Sequence, residues 1–296
     1  MSTVVIITVC LLTLASCLVI FSINLWLLIQ IFIKEKIKRN RHLILFFYRF
    51  ALDLFCGFCL TLYILYILLL HLFPENLEFM KDFIFYSALP ALNLGETRAI
   101  LALSISIDRI TAAYFPLFYL KHRQRLNSDL IFTIAMLYGV SGDLVLYGFC
   151  EFQLKIEKSC MAFGCTVNKC FIRFWIFSEM SVFLIISALS IILCVKLYYL
   201  NNFGKAAQRN SEISKANRLA LVDIMIIAIF DILPEILVAK LPETLNFKNV
   251  GPFNAFFKST GYAIESVLVV KTLIKRYDVA PNNSKNSKLS KSISSS

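Results

Sequence analysis

VVIITVCLLTLASCLVIFSINLWLLIQIFI, residues Val4–Ile33, contains no charged side chain. A run of that length carries more apolar surface than a soluble core absorbs, and it exceeds the roughly 20 residues an α-helix needs to cross the hydrocarbon of a bilayer. The run closes on a basic cluster, Lys34, Lys36, Lys38, Arg39 and Arg41, and no basic residue precedes it. A cleaved signal peptide has the opposite order, so the stretch reads as a signal-anchor whose N-terminus stays outside.

Six further apolar blocks follow, at about Leu43–Leu72, Phe83–Ala113, Leu130–Phe149, Phe171–Leu200, Leu219–Val238 and Phe253–Ile274. The expected fold is therefore an all-α membrane protein, a bundle of seven transmembrane helices over residues 1–276 with the C-terminus cytoplasmic. Composition agrees: 58% of the 296 residues are hydrophobic and 17% charged, at a mean hydropathy of +0.73, against about 25% charged in a soluble domain. The formal net charge of +11 would suit a nucleic-acid partner, but its placement argues against one. Twenty of the 30 Lys and Arg residues fall in the segments that would face the cytoplasm and six in those that would face outward. That bias fixes the orientation, and the partner it names is the lipid bilayer. Residues 277–296 are rich in Ser and Lys and read as a disordered cytoplasmic tail.

Nine cysteines are present, and five of them lie inside apolar blocks as small buried hydrophobes. The other four, Cys150, Cys160, Cys165 and Cys170, share one outer loop and can pair in three ways; at least one bridge is expected there, ordering the loop as a lid. All three histidines fall at block ends, so neither a metal site nor a cofactor is indicated. No nucleophile–base set is visible, and enzyme activity has no support.

After the third block the chain reads Asp108-Arg109-Ile110-Thr111-Ala112-Ala113-Tyr114-Phe115-Pro116-Leu117-Phe118-Tyr119. A carboxylate beside a guanidinium at the end of a helix can hold it in an ion pair, and release of that pair frees Arg109 for a cytoplasmic partner. The segment resembles the signature of rhodopsin-like G-protein-coupled receptors at Asp108, Arg109, Ala112, Pro116, Leu117 and Tyr119. The resemblance implies coupling to a heterotrimeric G protein through this end of helix three. It also implies a polar network among helices one, two and seven that uses Asn24 and Asp53, and a hinge in helix six at Pro234.

Several features depart from that pattern. Helix six has no Trp in Phe230–Pro234, and helix seven has Glu265-Ser266-Val267-Leu268-Val269-Val270 where Asn-Pro-x-x-Tyr would stand. Helix four has no Trp, and no cysteine occurs between Thr61 and Phe149 to bridge helix three to the outer loop. With Tyr48–Asp53 in helix two and the Cys-rich loop, the chain is similar to the nematode serpentine chemoreceptors, and among them to class BC. The similarity spans about residues 10–276 but is specific only around Asp108–Tyr119 and Tyr48–Asp53. It implies a chemosensory receptor for a small-molecule ligand in the plasma membrane, in sensory-neuron cilia.

Arg98 is the sharpest feature. It precedes Arg109 by eleven residues, about 16 Å along a helix and close to three whole turns, so both arginines share one inward face. In rhodopsin-like receptors that depth faces the helix-two carboxylate, here Asp53, often with a sodium ion between. A charge there costs at least ~2.5 kcal/mol if unpaired, so Arg98 should pair with Asp53. Arg49, four residues before Asp53, competes for it, and Glu96 points to another face.

Two alternatives remain in view. Lys258 lies in helix seven, where retinal proteins carry their Schiff-base lysine, although a pairing with Glu265 or a helix-six acid accounts for it too. The buried charges also suit a ligand-gated channel or transporter, against which stand the receptor motif and the absence of internal repeats. The ligand site should lie between the outer halves of the helices beneath the 150–170 loop, but no side chain names the compound.

Overall fold

The computed structural model describes residues 2–34, 43–74, 80–122, 127–156, 160–203, 221–222, 225–241 and 247–274. The tail expected at 277–296, most of the basic cluster after Ile33 and the basic residues at 123, 125 and 205–218 lie outside the described residues.

Seven helical segments fall where the seven apolar blocks lie. α1 (Ser2–Leu28) runs into a π-helical turn (Ile29–Ile33), α2 is Ile44–Leu72 and α3 is Phe83–Tyr114. α4 (Ser128–Leu144) also ends in a π-helical turn (Val145–Phe149), and α5 is Lys169–Phe203. α6 is described as a π-helical segment (Ile227–Ile232) continuing as α-helix (Leu233–Lys240), and α7 is Phe253–Ile274. Among the described residues no strand occurs. Four of these helices, α1, α2, α4 and α5, are long and apolar enough by themselves to cross a membrane. α3 and α7 are less apolar because Glu96, Arg98, Lys258 and Glu265 sit within them.

α3 packs on α2, α4 and α5 and is the central post of the bundle; α1 packs on α2 and α7, and α7 packs on α6. Two glycines set how closely helices approach. A Cβ at Gly139 of α4 would overlap the Thr97 hydroxyl and the Asn93 carbonyl of α3. A Cβ at Gly261 of α7 would lie 2.6 Å from Cβ of Phe230, in the π-helical part of α6.

Pro234 is buried at the start of the α-helical part of α6, immediately after that π-helical segment. Proline removes one backbone donor and its ring crowds the carbonyl one turn back, and a wider π turn relieves both. Sequence and geometry thus place a local irregularity of α6 at the point where Gly261 lets α7 touch it.

Candidate functional site

Three groups of polar side chains line the inside of the bundle at successive depths, and α3 and α7 contribute to more than one of them. At one end, a cavity of about 520 Å³ lies under the 150–170 loop. The loop holds two disulfides. Cys150–Cys170 ties the end of α4 to the start of α5, and Cys160–Cys165 closes a small turn. Sequence alone left three pairings open; helix geometry selects among them, because the end of α4 and the start of α5 bring Cys150 and Cys170 to a Cα separation of 5.7 Å. The lid also rests on α3 after all, through packing. Phe85 of α3 stacks on Phe152 at 5.1 Å and on Phe163 at 6.0 Å. The Phe163 backbone N–H donates to the Tyr63 hydroxyl of α2 at 3.2 Å, and Ala162, Phe163 and Gly164 form part of the cavity wall.

The cavity floor carries charge. Lys258 of α7 forms ion pairs with Glu179 of α5 and, at 3.1 Å, with Glu235 of α6. Of the two pairings open to Lys258, the one with a helix-six acid is formed, through Glu235; Glu265 lies two turns further along α7, about 10 Å away at the rise of an α-helix, and is taken by arginines instead.

That second group is fully interior. Arg98 donates through Nε to Oδ1 of Asp53 at 2.7 Å and through Nη2 to Oε2 of Glu265 at 2.6 Å. Arg49 donates through Nη2 to the same Glu265 oxygen at 2.8 Å, so it joins the cluster through α7 and leaves Asp53 to Arg98. The Tyr262 ring covers the Arg98 guanidinium, 3.5 Å from Cζ to the ring centroid. All four charged residues are buried. Asn24 is buried in α1 and donates to the Ser266 hydroxyl of α7 at 3.0 Å. It joins helix one to helix seven, but the network expected from the resemblance is split, since Asn24 reaches Ser266 and Asp53 reaches Arg98.

The third group stands at the far end of α3. Asp108 pairs with Arg109, Nη2 of Arg109 donates to the Tyr119 hydroxyl at 3.1 Å, and that hydroxyl donates to Oδ2 of Asp108 at 3.2 Å. Tyr119 belongs to a short helix, Pro116–His122, that turns back under α3. Pro at the first helical position loses no backbone hydrogen bond, which explains the start. Arg109 and Tyr119 are buried, whereas Pro116 is exposed and Leu117 is 84% exposed.

Sequence reasoning foresaw a helix-six acid beside Lys258 but missed Glu265 as the arginines' partner, and Tyr262 and Glu179 altogether. A signal was available for α7: Lys258, Tyr262 and Glu265 follow the i, i+4, i+7 spacing of one helix face. Nothing comparable marks Glu179, whose partner lies 79 residues away.

No curated protein matches the chain. Residues 1–277 match the family described as serpentine type 7TM GPCR chemoreceptor Srbc.

Proposed function

The chain belongs to the serpentine seven-transmembrane Srbc chemoreceptors, and from that premise we propose that a small molecule bound under the 150–170 loop releases Arg109 to engage a heterotrimeric G protein. The lid side faces outward, the Asp108–Tyr119 side faces the cytoplasm, and the receptor works in the plasma membrane of sensory-neuron cilia. The bundle over residues 1–276 is the signalling unit, and residues 277–296 form its regulatory tail.

The observation that carries this reading is the three-membered lock of Asp108, Arg109 and Tyr119. Opening this lock would free the guanidinium for a cytoplasmic partner, which is the way such an element would act as a switch. Pro116 and Leu117, exposed beside the lock, would form part of the docking face. Helix six, with its π-helical segment and Pro234, would be the element that moves.

The test is G-protein activation in cells at matched surface level. Arg109→Ala should lose evoked signalling, and Asp108→Asn should raise basal signalling by loosening the lock. Full signalling by the Arg109 variant sinks the coupling mechanism. Lys258 at the cavity keeps the retinal alternative testable: a visible band bleached by hydroxylamine would favour it.

A further inference from the structure

The cavity under the lid has the size of a small-molecule site, and its walls are mostly apolar, with Leu60, Leu92, Phe163, Ile172, Trp175 and Phe253 among them. Its polar lining holds a surplus of acidic groups. Glu96, Glu179 and Asn254 face it as acceptors, and Lys258 is the cation among its described lining residues. That lysine is already engaged, because its ammonium group sits between Glu179 and Glu235. Meanwhile Oε2 of Glu96 and Oδ1 of Asn254 are buried and accept from no donor among the described residues. Trp175, Tyr63 and Tyr262 bring donor groups to the wall as well, and these two acceptor atoms are what a donor-bearing ligand would satisfy.

Charge gives the same direction. Glu96, Glu179 and Glu235 stand against Lys258, three carboxylates to one ammonium. Burying a charge without a partner is costly, and a surplus of carboxyl groups over ammonium groups favours a ligand that brings positive charge to them. An anionic ligand would have to draw Lys258 away from two acids and then lie beside Glu96. A cationic head would supply donors to Glu96 and Asn254 and leave the lysine pairs intact.

We infer that this cavity recognises a small organic cation, a protonated amine on a compact apolar body, with Glu96 as its counter-ion and Asn254 as a second acceptor. The inference deepens the receptor reading and rests on the cavity being its ligand site, but it does not depend on G-protein coupling.

The test is direct binding to the purified full-length protein in lipid nanodiscs, read by ligand-induced thermal stabilisation. Butylamine, hexylamine, cyclohexylmethylamine and 2-phenylethylamine form the amine series; 2-phenylethanol and 3-phenylpropionate are the neutral and acidic comparators. At least one amine should bind, and more tightly than both comparators by about tenfold or more, the size expected for a charge-assisted hydrogen bond in a buried site. Glu96→Gln, which keeps the shape and removes the charge, should cut amine affinity by about tenfold or more while leaving 2-phenylethanol unchanged. Should that variant fold poorly, Asn254→Leu serves, with a smaller loss confined to amines.

Equal or better binding of the alcohol or the acid overturns the inference, as does an amine affinity indifferent to Glu96→Gln. So does failure of every amine to bind at millimolar concentration. Binding of an amine without G-protein activation leaves the inference standing and breaks the coupling mechanism alone.

Discussion

Two buried charge clusters share α7 and differ in balance. The inner one sets Arg49 and Arg98 against Asp53 and Glu265, two charges of each sign, and links α2, α3 and α7. The one beside the cavity sets Lys258 against Glu179 and Glu235 and links α5, α6 and α7, with Glu96 of α3 nearby on the cavity wall. A balanced cluster with every guanidinium aimed at a carboxylate is a fastener, since no entering ion improves it. An unbalanced cluster beside an empty space gains from an added partner. Lys258 and Glu265 lie seven residues apart on one face of α7, so the two clusters share that helix face.

The comparison breaks most clearly on one substitution made in both places. Glu265→Gln removes the charge whose Oε2 accepts from both arginines. Breaking a buried pair from one side typically costs about 3–5 kcal/mol, so this variant should largely fail to reach the cell surface, and the purified protein should melt markedly lower. Glu235→Gln leaves Lys258 paired with Glu179, and its effect on stability should be clearly smaller, about 1 kcal/mol. Surface expression and melting temperature of the two variants, side by side, check this. Equal losses would mean that the two clusters do the same job.

How much of this was legible in the sequence can be said residue by residue. The seven blocks were readable because hydrocarbon thickness imposes a length on each, and apart from the start of α6, part of which lies outside the described residues, the described helices begin and end within a few residues of them. The pairing of Arg98 with Asp53 was readable because both lie on helices whose depth could be counted. The role of Glu265 was not, because it stands where the rhodopsin-like helix-seven signature is missing and looked like a loss rather than a replacement. The loop connectivity was not readable either, since spacing alone cannot rank three pairings. Close approach at Gly139 and Gly261 depends on which helices are neighbours, and that is a property of the assembled bundle.

A smaller effect sharpens the link between the clusters. Gly261 lies between Lys258 and Glu265 on α7, and a Cβ there would meet the Phe230 side chain of α6 at 2.6 and 2.9 Å. Overpacking of this kind costs about 1–3 kcal/mol when backbone must yield. Gly261→Ala should therefore lower the melting temperature moderately, and adding Phe230→Gly, which removes the Cβ as well as the ring, should make the loss smaller than the sum of the two single losses. A double variant no better than the sum of its parts would show that the contact between α6 and α7 does not pass through this pair.

The smallest expected effect is none at all, and it concerns sodium. In rhodopsin-like receptors the helix-two carboxylate commonly faces a sodium ion. Here Asp53 faces the Nε of Arg98 at 2.7 Å, and the neighbouring Glu265 carboxylate is shared by Arg98 and Arg49. A sodium ion entering this cluster would sit within a few ångströms of a guanidinium, and two like charges 4 Å apart repel by about 4 kcal/mol at an effective dielectric of 20. It would also have to replace charge-assisted hydrogen bonds that are already formed. The wild-type protein should therefore melt at the same temperature, within about 1 °C, in sodium chloride and in choline chloride of equal ionic strength. Matching the ionic strength matters, because screening of exposed charges responds to any salt. Arg98→Ala should destabilise the protein by stranding Asp53. Adding Asp53→Asn should recover part of the loss, because no lone carboxylate then remains facing the vacated guanidinium site. Sodium-specific stabilisation of the wild type would mean that a cation does enter beside Asp53, and the inner cluster would then be a second unbalanced site rather than the fastener its ion pairs describe.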